Sequence, residues 1–532
     1  MRRLHHWFLF ACIALFATGC SITTDEFAHT PAPDALEFHR DFLKATPNQP
    51  PTSAPNIVLI LADDLGKTDI SLYGSPHIQT PNIDRIGREG VTFDEGYCSS
   101  PICAPSRAGL LTGRYQQRFG FEFQPHGRYP RNKLEYWVYK KFIARDDWRV
   151  SDQKRFPDKA SIETQGLPAT EFTLAELLKK QGYATSIIGK WHLGTAEHTW
   201  PNRRGFDEQF GFYEAYSLFH PDTAAPHILN QRHDDFSDKW IWGNARKGNY
   251  AIRRNHVPVE DTTYLTEKIA DEALTFMKAQ GENPFFLYLP FSAPHTPFQA
   301  TREHFNRFPD VKDRNKRIYL AMISSLDEAV GRILDGLRDN GLAENTLVIF
   351  LSDNGGATYT HATDNAPLKG GKFTNFEGGL NVPFMMRWPG KIAAGSQETR
   401  PVIAMDIFNT VAEACGVELP GDRAYDGVDL LPGLQGDTAR FHQRLCWRSL
   451  YAWAIREGNW KLVVDEKGGN RALYDLGADK VEQRNLYGER PEVVERLEAS
   501  WRKWEAGVER PQWPRIMDFR FETEEGPYWF PL

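Results

Sequence analysis

The sequence predicts an α/β fold: a large mixed, mostly parallel sheet sandwiched by helices, followed by a smaller C-terminal four-stranded antiparallel sheet with one helix. Continuous apolar runs are typical of strands that are buried on both faces of a parallel sheet. These runs alternate along the chain with segments whose apolar residues recur at helical spacing. After about residue 430 the runs become shorter and follow one another closely, which favours a separate antiparallel sheet.

The first predicted strand is the apolar run from Asn56 to Ala62. Thr173-Leu174-Ala175-Glu176 is a capping box that opens an amphipathic helix, which runs through Lys180 and stops at Gly182. Further strands are predicted over three apolar runs: Ala184 to Ile188, Phe285 to Phe291 and Thr346 to Leu351. A second helix, closed by Asn340-Gly341, is indicated by apolar residues on one helical face: Ile323, Leu326, Val330, Ile333, Leu334 and Leu337.

Each of these four strands ends in polar residues that can take part in catalysis. In chain order the strands are followed by Asp63-Asp64, by Lys190 and His192, by His295, and by Asp353-Asn354. Ligands of open α/β sheets bind outside the carboxyl ends of the strands. We therefore expect these side chains to meet at one edge of the sheet.

The C-terminal region is predicted to form the smaller sheet from four short runs: Leu445 to Ser449, Ala452 to Arg456, Lys461 to Val464 and Leu473 to Leu476. A helix from Glu492 to Gly507 follows, and the aromatic segment from Arg515 to Leu532 is expected to fold back onto the main body. The expected regions are a signal peptide (1–20), a Pro/Thr/Ala-rich linker (21–55), a catalytic domain (56–430) and a C-terminal subdomain with its tail (431–532).

The composition is that of an ordinary soluble globular protein, with 41% hydrophobic and 25% charged residues among 532. The chain is too long for one typical core, which favours two domains or one large domain with an appendix. A net charge of −7 gives no general attraction to nucleic acid, and no nucleic-acid partner is expected. An anionic substrate would need a locally basic binding site.

The N-terminus has the pattern of a secretory signal peptide, with Arg2 and Arg3 before a short apolar stretch from Trp7 to Ala17. This stretch is too short to span a bilayer. Ala17-Thr18-Gly19-Cys20 resembles a bacterial lipobox with Cys20 as the acylated residue, although leucine is usual at the first position. We expect an exported protein in the periplasm or at the outer membrane, which meets the membrane only through its lipid anchor. Simple cleavage without lipidation is the alternative.

The remaining cysteines do not form a recognisable framework. Cys12 would leave with the signal peptide, and Cys98, Cys415 and Cys446 are an odd number without metal-like spacing. The pattern indicates neither a disulfide framework nor a zinc site.

Asp63, Asp64, Asp353 and Asn354 form an all-oxygen set of candidate metal ligands. Hard oxygen donors suit Ca²⁺ or Mg²⁺ and disfavour zinc. Three carboxylates and one amide carbonyl offer the higher coordination that calcium takes. The alternative is that Asp-Asp and Asp-Asn only form turns at strand ends.

The stretch from Cys103 to Arg114 places a candidate nucleophile four residues before a fixed cation, Arg107, and continues into Leu111-Thr112-Gly113. This pattern resembles the signature of the formylglycine-dependent (type I), arylsulfatase-like sulfatases, in which that cysteine is oxidised after translation. Further matching blocks contain Lys190 and His192 (GKWHLG), His295 (APHTP) and Lys372 (PLKGGK). The resemblance runs from about residue 55 to 390 and, more loosely, through 426–429 and 473–476. It implies an alkaline-phosphatase-like fold and a bacterial carbohydrate sulfatase.

The resemblance also implies a ligand set. Asp63, Asp64, Asp353 and Asn354, together with the modified Cys103, would hold one Ca²⁺, with Mg²⁺ the less favoured ion. Cys103 would become formylglycine (3-oxoalanine) through a formylglycine-generating maturation enzyme, which is therefore an expected partner.

The implied reaction is hydrolysis of a sulfuric ester through a formylglycine hydrate and a covalent sulfoenzyme. In this scheme His295 is the general acid to the leaving alcohol, and Lys372 bridges the sulfate and the leaving oxygen. His192 removes the proton that allows sulfate to be expelled. Lys190 and Arg107 hold the formylglycine and the oxygens on the metal side. Asn381 is a departure, because many relatives carry arginine there, and we expect it to alter contacts around the centre without removing it.

The predicted substrate is a sulfated carbohydrate, such as a carrageenan, fucan or glycosaminoglycan oligosaccharide. Residues 128–155 hold nine Lys/Arg against four Asp/Glu among several aromatic residues, which suits a basic loop at the pocket but also an ordinary solvated insertion. Candidate pocket residues are His126, His227, His361 and Asn365. Two other functions remain open: a phosphonate or phosphate ester hydrolase of the same superfamily, and a non-catalytic glycan-binding lipoprotein.

Overall fold

A computed structural model describes residues 23–24, 33–44, 50–51, 54–125, 129–130, 132–144, 147–152, 156–232 and 236–532. Its centre is a ten-stranded sheet. The strands are, in chain order, β1 Asn56–Ala62, β2 Val91–Phe93, β3 Ala184–Lys190, β4 Glu208–Phe212, β5 Arg253–Arg254, β6 Val257–Pro258, β7 Phe285–Pro290, β8 Thr346–Ser352, β9 Phe384–Arg387 and β10 Ser396–Glu398. They lie side by side in the order β6-β5-β4-β3-β7-β1-β8-β9-β2-β10.

The five central strands, β4-β3-β7-β1-β8, are all parallel, and antiparallel pairs flank them on both sides. Alternate residues of β1 enter two different cores: Val58 and Ile60 belong to one, and Ile57 and Leu59 to the other. Both faces of the strand are therefore covered, which is why its sequence is apolar throughout. The predicted mixed, mostly parallel sheet is confirmed.

Helices cover both faces of the sheet. The main ones are α1 Pro33–Lys44, α2 Pro81–Arg88, α3 Cys103–Thr112, α4 Leu174–Lys180, α5 Leu265–Gln280, α6 Arg314–Asp339, α7 Asp406–Ala414 and α8 Pro491–Glu505. Helices α2, α5 and α6 contribute to the core on one face, and α3, α4 and α7 to the core on the other. Shorter helical segments are Lys133–Val138, Tyr139–Ile143, Lys159–Glu163, Phe236–Asn244, Arg302–Asn306, Glu377–Leu380 and Leu431–Leu434.

The predicted elements are found with their ends shifted by at most a few residues, apart from the second helix. Thr173 caps α4: its side chain accepts from Glu176 N, and the Glu176 carboxylate accepts from Thr173 N at 2.7 Å. The predicted apolar face of that second helix lies within α6, which begins well before it and is capped by Asn340. Strands β3, β7 and β8 cover the three predicted runs.

The segment that was predicted as a tether contains a docked helix. In α1, His39 is buried, and its Nε2 lies 3.6 Å from Glu176 Oε2. Phe42 and Phe172 meet edge to face, with ring centroids 5.1 Å apart. The apolar face of α1 was overlooked because few large apolar residues surround it in the sequence.

The C-terminal sheet has the four predicted strands: β11 Leu445–Ser449, β12 Ala452–Glu457, β13 Trp460–Asp465 and β14 Asn470–Asp475, all antiparallel. Helix α8 packs on it, with Trp453 and Trp501 stacked 4.3 Å apart. The closing segment folds back as a hairpin, β15 Met517–Thr523 and β16 Gly526–Pro531, which also pairs with Trp148–Val150.

This C-terminal part is not an independent body. A third core joins Tyr97, Ile102 and Phe376 of the main domain to Trp447 and Leu497 of the C-terminal part. The main domain and the C-terminal sheet therefore fix each other's position around the segment that carries Cys103.

No helix in the described part of the chain is both long and apolar enough to cross a membrane. The thiols of Cys98, Cys103, Cys415 and Cys446 are all buried and free. Cys98 donates to Gly379 O at 3.5 Å, which gives this cysteine a packing role beside the site.

Candidate active site

The predicted polar residues do meet at the carboxyl edge of the central strands. Ala62 and Ser352 are register partners in β1 and β8, so the residues that follow them lie side by side. Asp353 N donates to Ala62 O at 3.1 Å, and Asp63 N donates to Ala293 O at 3.2 Å. These backbone bonds bring the ends of β1, β8 and the loop after β7 together.

Cys103 is the first residue of α3 and is buried at this edge. Its Sγ lies 3.6 Å from Asp63 Oδ1 and 3.7 Å from Asp64 Oδ1. Burial, and next the charge of Asp353, raise the pKa of the Cys103 thiol well above its usual range. The unmodified side chain is therefore a protonated thiol at neutral pH, and the thiol is a poor nucleophile compared with the thiolate.

Arg107 lies one turn further along α3, and its side chain is fully buried. Its Nε and Nη2 atoms reach Asp353 Oδ2 at 2.9 and 2.8 Å, and its Nη1 donates to Lys190 O at 3.0 Å. The guanidinium thereby ties the start of α3 to the ends of β8 and β3. Its fork geometry suits this bidentate position better than lysine would.

Two lysines each hold one of the adjacent carboxylates. Lys190 Nζ donates to Asp63 Oδ2 at 2.7 Å, and Lys372 Nζ donates to Asp64 Oδ2 at 2.9 Å. Burial by itself would raise the pKa of both carboxyl groups, but the nearby cations outweigh it and the pKa values are lowered. With Arg107 and Asp353, three buried cations balance three buried carboxylates.

His295 faces this cluster. Its Nδ1 donates to Thr296 O at 2.5 Å, and its Nε2 lies 3.6 Å from Asp64 Oδ2. Burial, followed by the charge of Lys372, lowers the pKa of His295, so the ring is neutral at pH 7 with Nε2 as an acceptor. A general-acid role would require that His295 be protonated in the substrate complex.

The donor set fits a hard divalent cation. Ligand atoms of Asp63, Asp64, Cys103 and His295 all lie within 4.8 Å of one another. Asn354 Nδ2 donates to Asp64 Oδ1 at 2.8 Å, while the buried Asn354 Oδ1 has no hydrogen-bond partner among the described residues. A buried carbonyl oxygen beside two carboxylates is the arrangement that a cation would satisfy. The ligand set predicted from the sequence contained no histidine, whereas in the structure His295 lies against Asp64. Asp353 is linked to Asp63 through Arg107, which contacts both carboxylates.

His192 follows Lys190 by two residues and is buried. Its backbone has a positive φ of 60°, and its N–H donates to Tyr213 O at 3.0 Å. The end of β3 thus carries both predicted residues, His192 and Lys190.

The four candidate substrate residues fare differently. Asn365 is buried: its amide oxygen accepts from Gly356 N at 3.1 Å and its amide nitrogen donates to Gly356 O, so the side chain holds the loop after Asn354. His361 is exposed with a positive φ of 57°. His227 is exposed and directly precedes a two-stranded ladder in which Ile228 pairs with Thr301 and Gln231 pairs with Phe298, three residues after His295. His126 lies outside the described residues.

Aromatic residues beside Lys372 were not singled out by the sequence. Phe373 stacks with Tyr359 at 5.5 Å, and Trp148 meets both rings edge to face at 5.3 to 5.6 Å. Trp148 belongs to the basic, aromatic segment 128–155, so part of this segment does border the site. Its alternation of basic and aromatic residues was the signal available in the sequence.

Asn381 also has a partner that sequence reasoning missed. Its Oδ1 accepts from Lys67 Nζ at 2.8 Å, and its Nδ2 donates to Glu377 Oε2 at 3.1 Å. Lys67 also donates to Asp94 O. A lysine from the loop after Asp64 therefore lies against Asn381.

Fold and site together define a large α/β protein with a buried, charge-balanced centre at a parallel-sheet edge. The family model "Sulfatase" matches residues 55–417, and "N-sulphoglucosamine sulphohydrolase, C-terminal" matches residues 371–505. The chain belongs to the sulfatase family, and it is a sulfuric ester hydrolase.

Relatives and solved structures agree with this assignment. The chain is 34% identical to N-acetylgalactosamine-6-sulfatase of Canis lupus familiaris, over 76% of this chain and 71% of the relative. It is 33% identical to steryl-sulfatase of Mus musculus, over 78% and 71%. The crystal structure of Ps i-CgsB superimposes with a TM-score of 0.73 at 30% identity, covering 86% of this chain and 94% of the other. Ps i-CgsB has also been solved in complex with k-i-k-neocarrahexaose.

Proposed function

We propose that this sulfatase removes sulfate from a sulfated carbohydrate, with Cys103 converted to formylglycine and a bound Ca²⁺. The observation that carries the proposal is the position of Cys103 Sγ, 3.6 and 3.7 Å from carboxylate oxygens of Asp63 and Asp64. A buried, protonated thiol is unsuited to attack on sulfur, whereas the hydrate of formylglycine supplies an oxygen nucleophile and a second hydroxyl at the same place.

The cation would be held by Asp63, Asp64, Asp353, Asn354 and the modified residue 103, and it would acidify the nucleophile and polarise the sulfate oxygens. The buried, unsatisfied Asn354 Oδ1 supports this set. Calcium is favoured over magnesium because the set has several carboxylate oxygens and can exceed six donors.

The cations of the site then stabilise the charge that shifts onto the leaving oxygen. Lys372 is close enough to Asp64, at 2.9 Å, to exchange that contact for a sulfate oxygen. Lys190 and Arg107 are fixed by Asp63 and Asp353, so they are already oriented before substrate binds. His295 presents Nε2 to the same space, where it can exchange a proton with the leaving alcohol.

A carbohydrate substrate is supported by the rim of the site. Trp148 packs beside Phe373, next to Lys372, and the same segment exposes Trp137 and Phe142 by 49% and 56%. Exposed aromatic rings next to the exposed Lys140 suit the apolar faces and the anionic groups of a sulfated sugar. One relative, N-acetylgalactosamine-6-sulfatase, and the neocarrahexaose complex are named after sugars, whereas steryl-sulfatase is named after a sterol.

The test of substrate class is desulfation of a panel of defined sulfated oligosaccharides, with the product linkage assigned by NMR. A phosphate diester and a phosphonate ester are assayed in parallel. We expect sulfate release from at least one saccharide, and a lower kcat/KM for it in W137A at unchanged activity on a small aryl sulfate. Preference for the diester with Mn²⁺ would refute the proposal.

The test of the modification is mass spectrometry of the peptide that contains residue 103, combined with C103S expressed in a bacterium that modifies only cysteine. We expect the formylglycine mass in the wild type, and no turnover by a folded C103S. C415S is the matched control, since Cys415 is a buried thiol at the end of α7 and should leave turnover intact. An active C103S would contradict the mechanism.

We further propose export, with acylation at Cys20 and location in the periplasm or at the outer membrane. The support is the signal-like sequence alone, since Cys20 lies outside the described residues. Metabolic labelling with a fatty-acid analogue should mark the wild type and leave C20A unlabelled; equal labelling would refute acylation at this residue.

A further inference from the structure

A cavity of about 290 Å³ lies between the main domain and the C-terminal sheet. Glu95 and residues 399–401 line it on one side, and the other side is lined by residues 440–445, Arg456, Gly458, Asn459, Leu476, Gly477 and Lys480. Its volume is close to the lower end of ordinary ligand pockets, about 300 Å³.

The lining is strongly basic. Six basic side chains surround the cavity, against the single carboxylate of Glu95: Arg400, Arg440, His442, Arg444, Arg456 and Lys480. The whole protein has a net charge of −7, so this concentration of positive charge does not follow from the composition. A concave surface lined by one sign of charge focuses the field and attracts ions of the opposite sign.

Three of these basic groups are structural. Arg456 pairs with Glu95 at 2.6 Å, and His442 Nε2 pairs with Asp406 Oδ1 at 2.9 Å. Arg400 pairs with Glu398 at 2.5 Å and donates to the carbonyls of Asp437 and Ala439. Arg400 therefore shapes the loop that forms one wall, and its charge is already compensated.

The other three, Arg440, Arg444 and Lys480, are exposed toward the solvent. No ion pair or hydrogen bond connects their side chains to any residue that the structure describes. They leave about three uncompensated positive charges around one cavity, which the side chains of Gln443 and Asn459 also line. Polar groups that donate hydrogen bonds beside free cations are suited to sulfate or carboxylate oxygens.

This cavity is separate from the catalytic edge. Thr399 follows β10, which lies three strands away from β8 in the sheet. At about 4.8 Å per strand, this places the cavity roughly 14 Å from Asp353. Its lining shares no residue with the catalytic cluster.

We propose that this cavity is a second, non-catalytic binding site for a sulfated saccharide chain, which holds sulfate groups of the polymer with Arg440, Arg444 and Lys480. The saccharide part of the proposal rests on the proposed function, while the anionic character of the ligand follows from the lining. Such a site would retain the enzyme on a polyanionic polymer although its overall charge is negative.

The test compares two full-length variants that lose the same charge. R440Q/R444Q/K480Q removes the three cations of the cavity that form no ion pair. The control, K278Q/K312Q/K503Q, removes three exposed lysines elsewhere, whose side chains form no ion pair or hydrogen bond with the described residues. Binding of a carrageenan-derived hexasaccharide is measured by calorimetry at low salt, with inorganic sulfate and the chemically desulfated hexasaccharide as separate arms. Turnover of a small aryl sulfate is measured on all three proteins.

The expected result is a loss of about tenfold or more in affinity for the sulfated hexasaccharide in the cavity variant, since several charge contacts are lost together. The control variant should bind like the wild type, and aryl sulfate turnover should be unchanged in both. Equal binding by the cavity variant and the wild type overturns the proposal. Equal binding of the desulfated chain, or of inorganic sulfate at the same affinity as the hexasaccharide, overturns it as well. Failure of the proposed function is distinguishable, because the wild-type protein would then release no sulfate from the panel of sulfated oligosaccharides, whatever the calorimetry shows about binding.

Discussion

Arg107 is expected to be the most costly single side chain to remove from the site, and R107L tests this. Its guanidinium is fully buried and makes two contacts to Asp353 Oδ2, at 2.8 and 2.9 Å, and one to Lys190 O at 3.0 Å. R107L leaves the Asp353 carboxylate without its cation in a region closed to water. Removing one partner of a buried ion pair costs about 3 to 5 kcal/mol of unfolding free energy.

The matched control is R203L. Arg203 contacts Glu197 at 2.6 Å, a similar distance, but both side chains are 62% exposed. Exposed pairs of this kind contribute about 0 to 1 kcal/mol. The two variants therefore make the same chemical change at a buried and at an exposed ion pair. R107K is a third variant, in which the positive charge stays but the paired Nε and Nη2 contacts to Asp353 are lost.

The assay is urea unfolding followed by fluorescence, with all variants at the same pH in a buffer that contains EDTA and no added divalent cation. We expect a midpoint order of wild type and R203L highest, R107K between, and R107L lowest. If R107L unfolds within about 1 kcal/mol of R203L, the carboxylates of the ion-free cluster do not depend on Arg107, and the charge balance described above is wrong.

Three shorter predictions test other parts of the structure. N354L should lose most of the Ca²⁺-dependent rise in melting temperature, because its buried carbonyl oxygen is absent; a rise equal to that of wild type in a Ca²⁺ titration would exclude Asn354 as a ligand. Burial lowers the pKa of Lys67 from 10.5 to about 8, although the charge of Glu377 opposes this shift. Between these two pH values the unfolded chain holds the Lys67 proton more tightly than the folded protein does. The unfolding free energy of the wild type should therefore rise from about pH 8 to 10.5. That rise, at most about 3 kcal/mol, should be missing in urea unfolding of K67M; an identical pH profile would contradict it. W501A should lower the unfolding free energy by about 3 to 5 kcal/mol, because Trp501 stacks on Trp453 in the core that the C-terminal part shares with the main domain. A separate unfolding transition of the C-terminal part in W501A would contradict this shared core.

The catalytic edge could be predicted because its residues follow strands directly. Asp63, Lys190 and Asp353 each stand at the end of a continuous apolar run, and parallel strands carry such residues to one edge whatever the order of the strands. Lys372 has no such position. It lies in a long loop, and only the family resemblance connected it with Asp64, 308 residues away in the chain.

Positions that depend on strand register or on distant packing are harder to predict from the sequence. His227 stays a candidate pocket residue, and the ladder that pairs Gln231 with Phe298, three residues after His295, could not be read from the sequence. Helix α1 was missed because its stabilising partners, Phe172 and Glu176, come from a distant helix start. The apolar residues of α1, Leu36, Phe42 and Leu43, do recur at helical spacing, but the Pro/Thr/Ala-rich composition around them led to the prediction of a linker.

Asn381 illustrates how a departure from a family pattern should be read. The family resemblance leads us to expect arginine at this position, and from the sequence Asn381 is expected to alter contacts around the centre without removing it. In the structure Lys67, from the loop that follows Asp64, reaches Asn381 and lies in the field of Glu377 and Asp94. The Glu377 carboxylate also accepts hydrogen bonds from Tyr97 OH at 2.9 Å and Lys461 Nζ at 2.8 Å. The next residue, Gly378, packs closely on Gly355, because a Cβ on Gly355 would lie 1.8 Å from Gly378 O. Because Gly355 follows Asn354, Lys67 and Asn381 belong to the buried network whose Glu377–Gly378 segment packs on the catalytic edge.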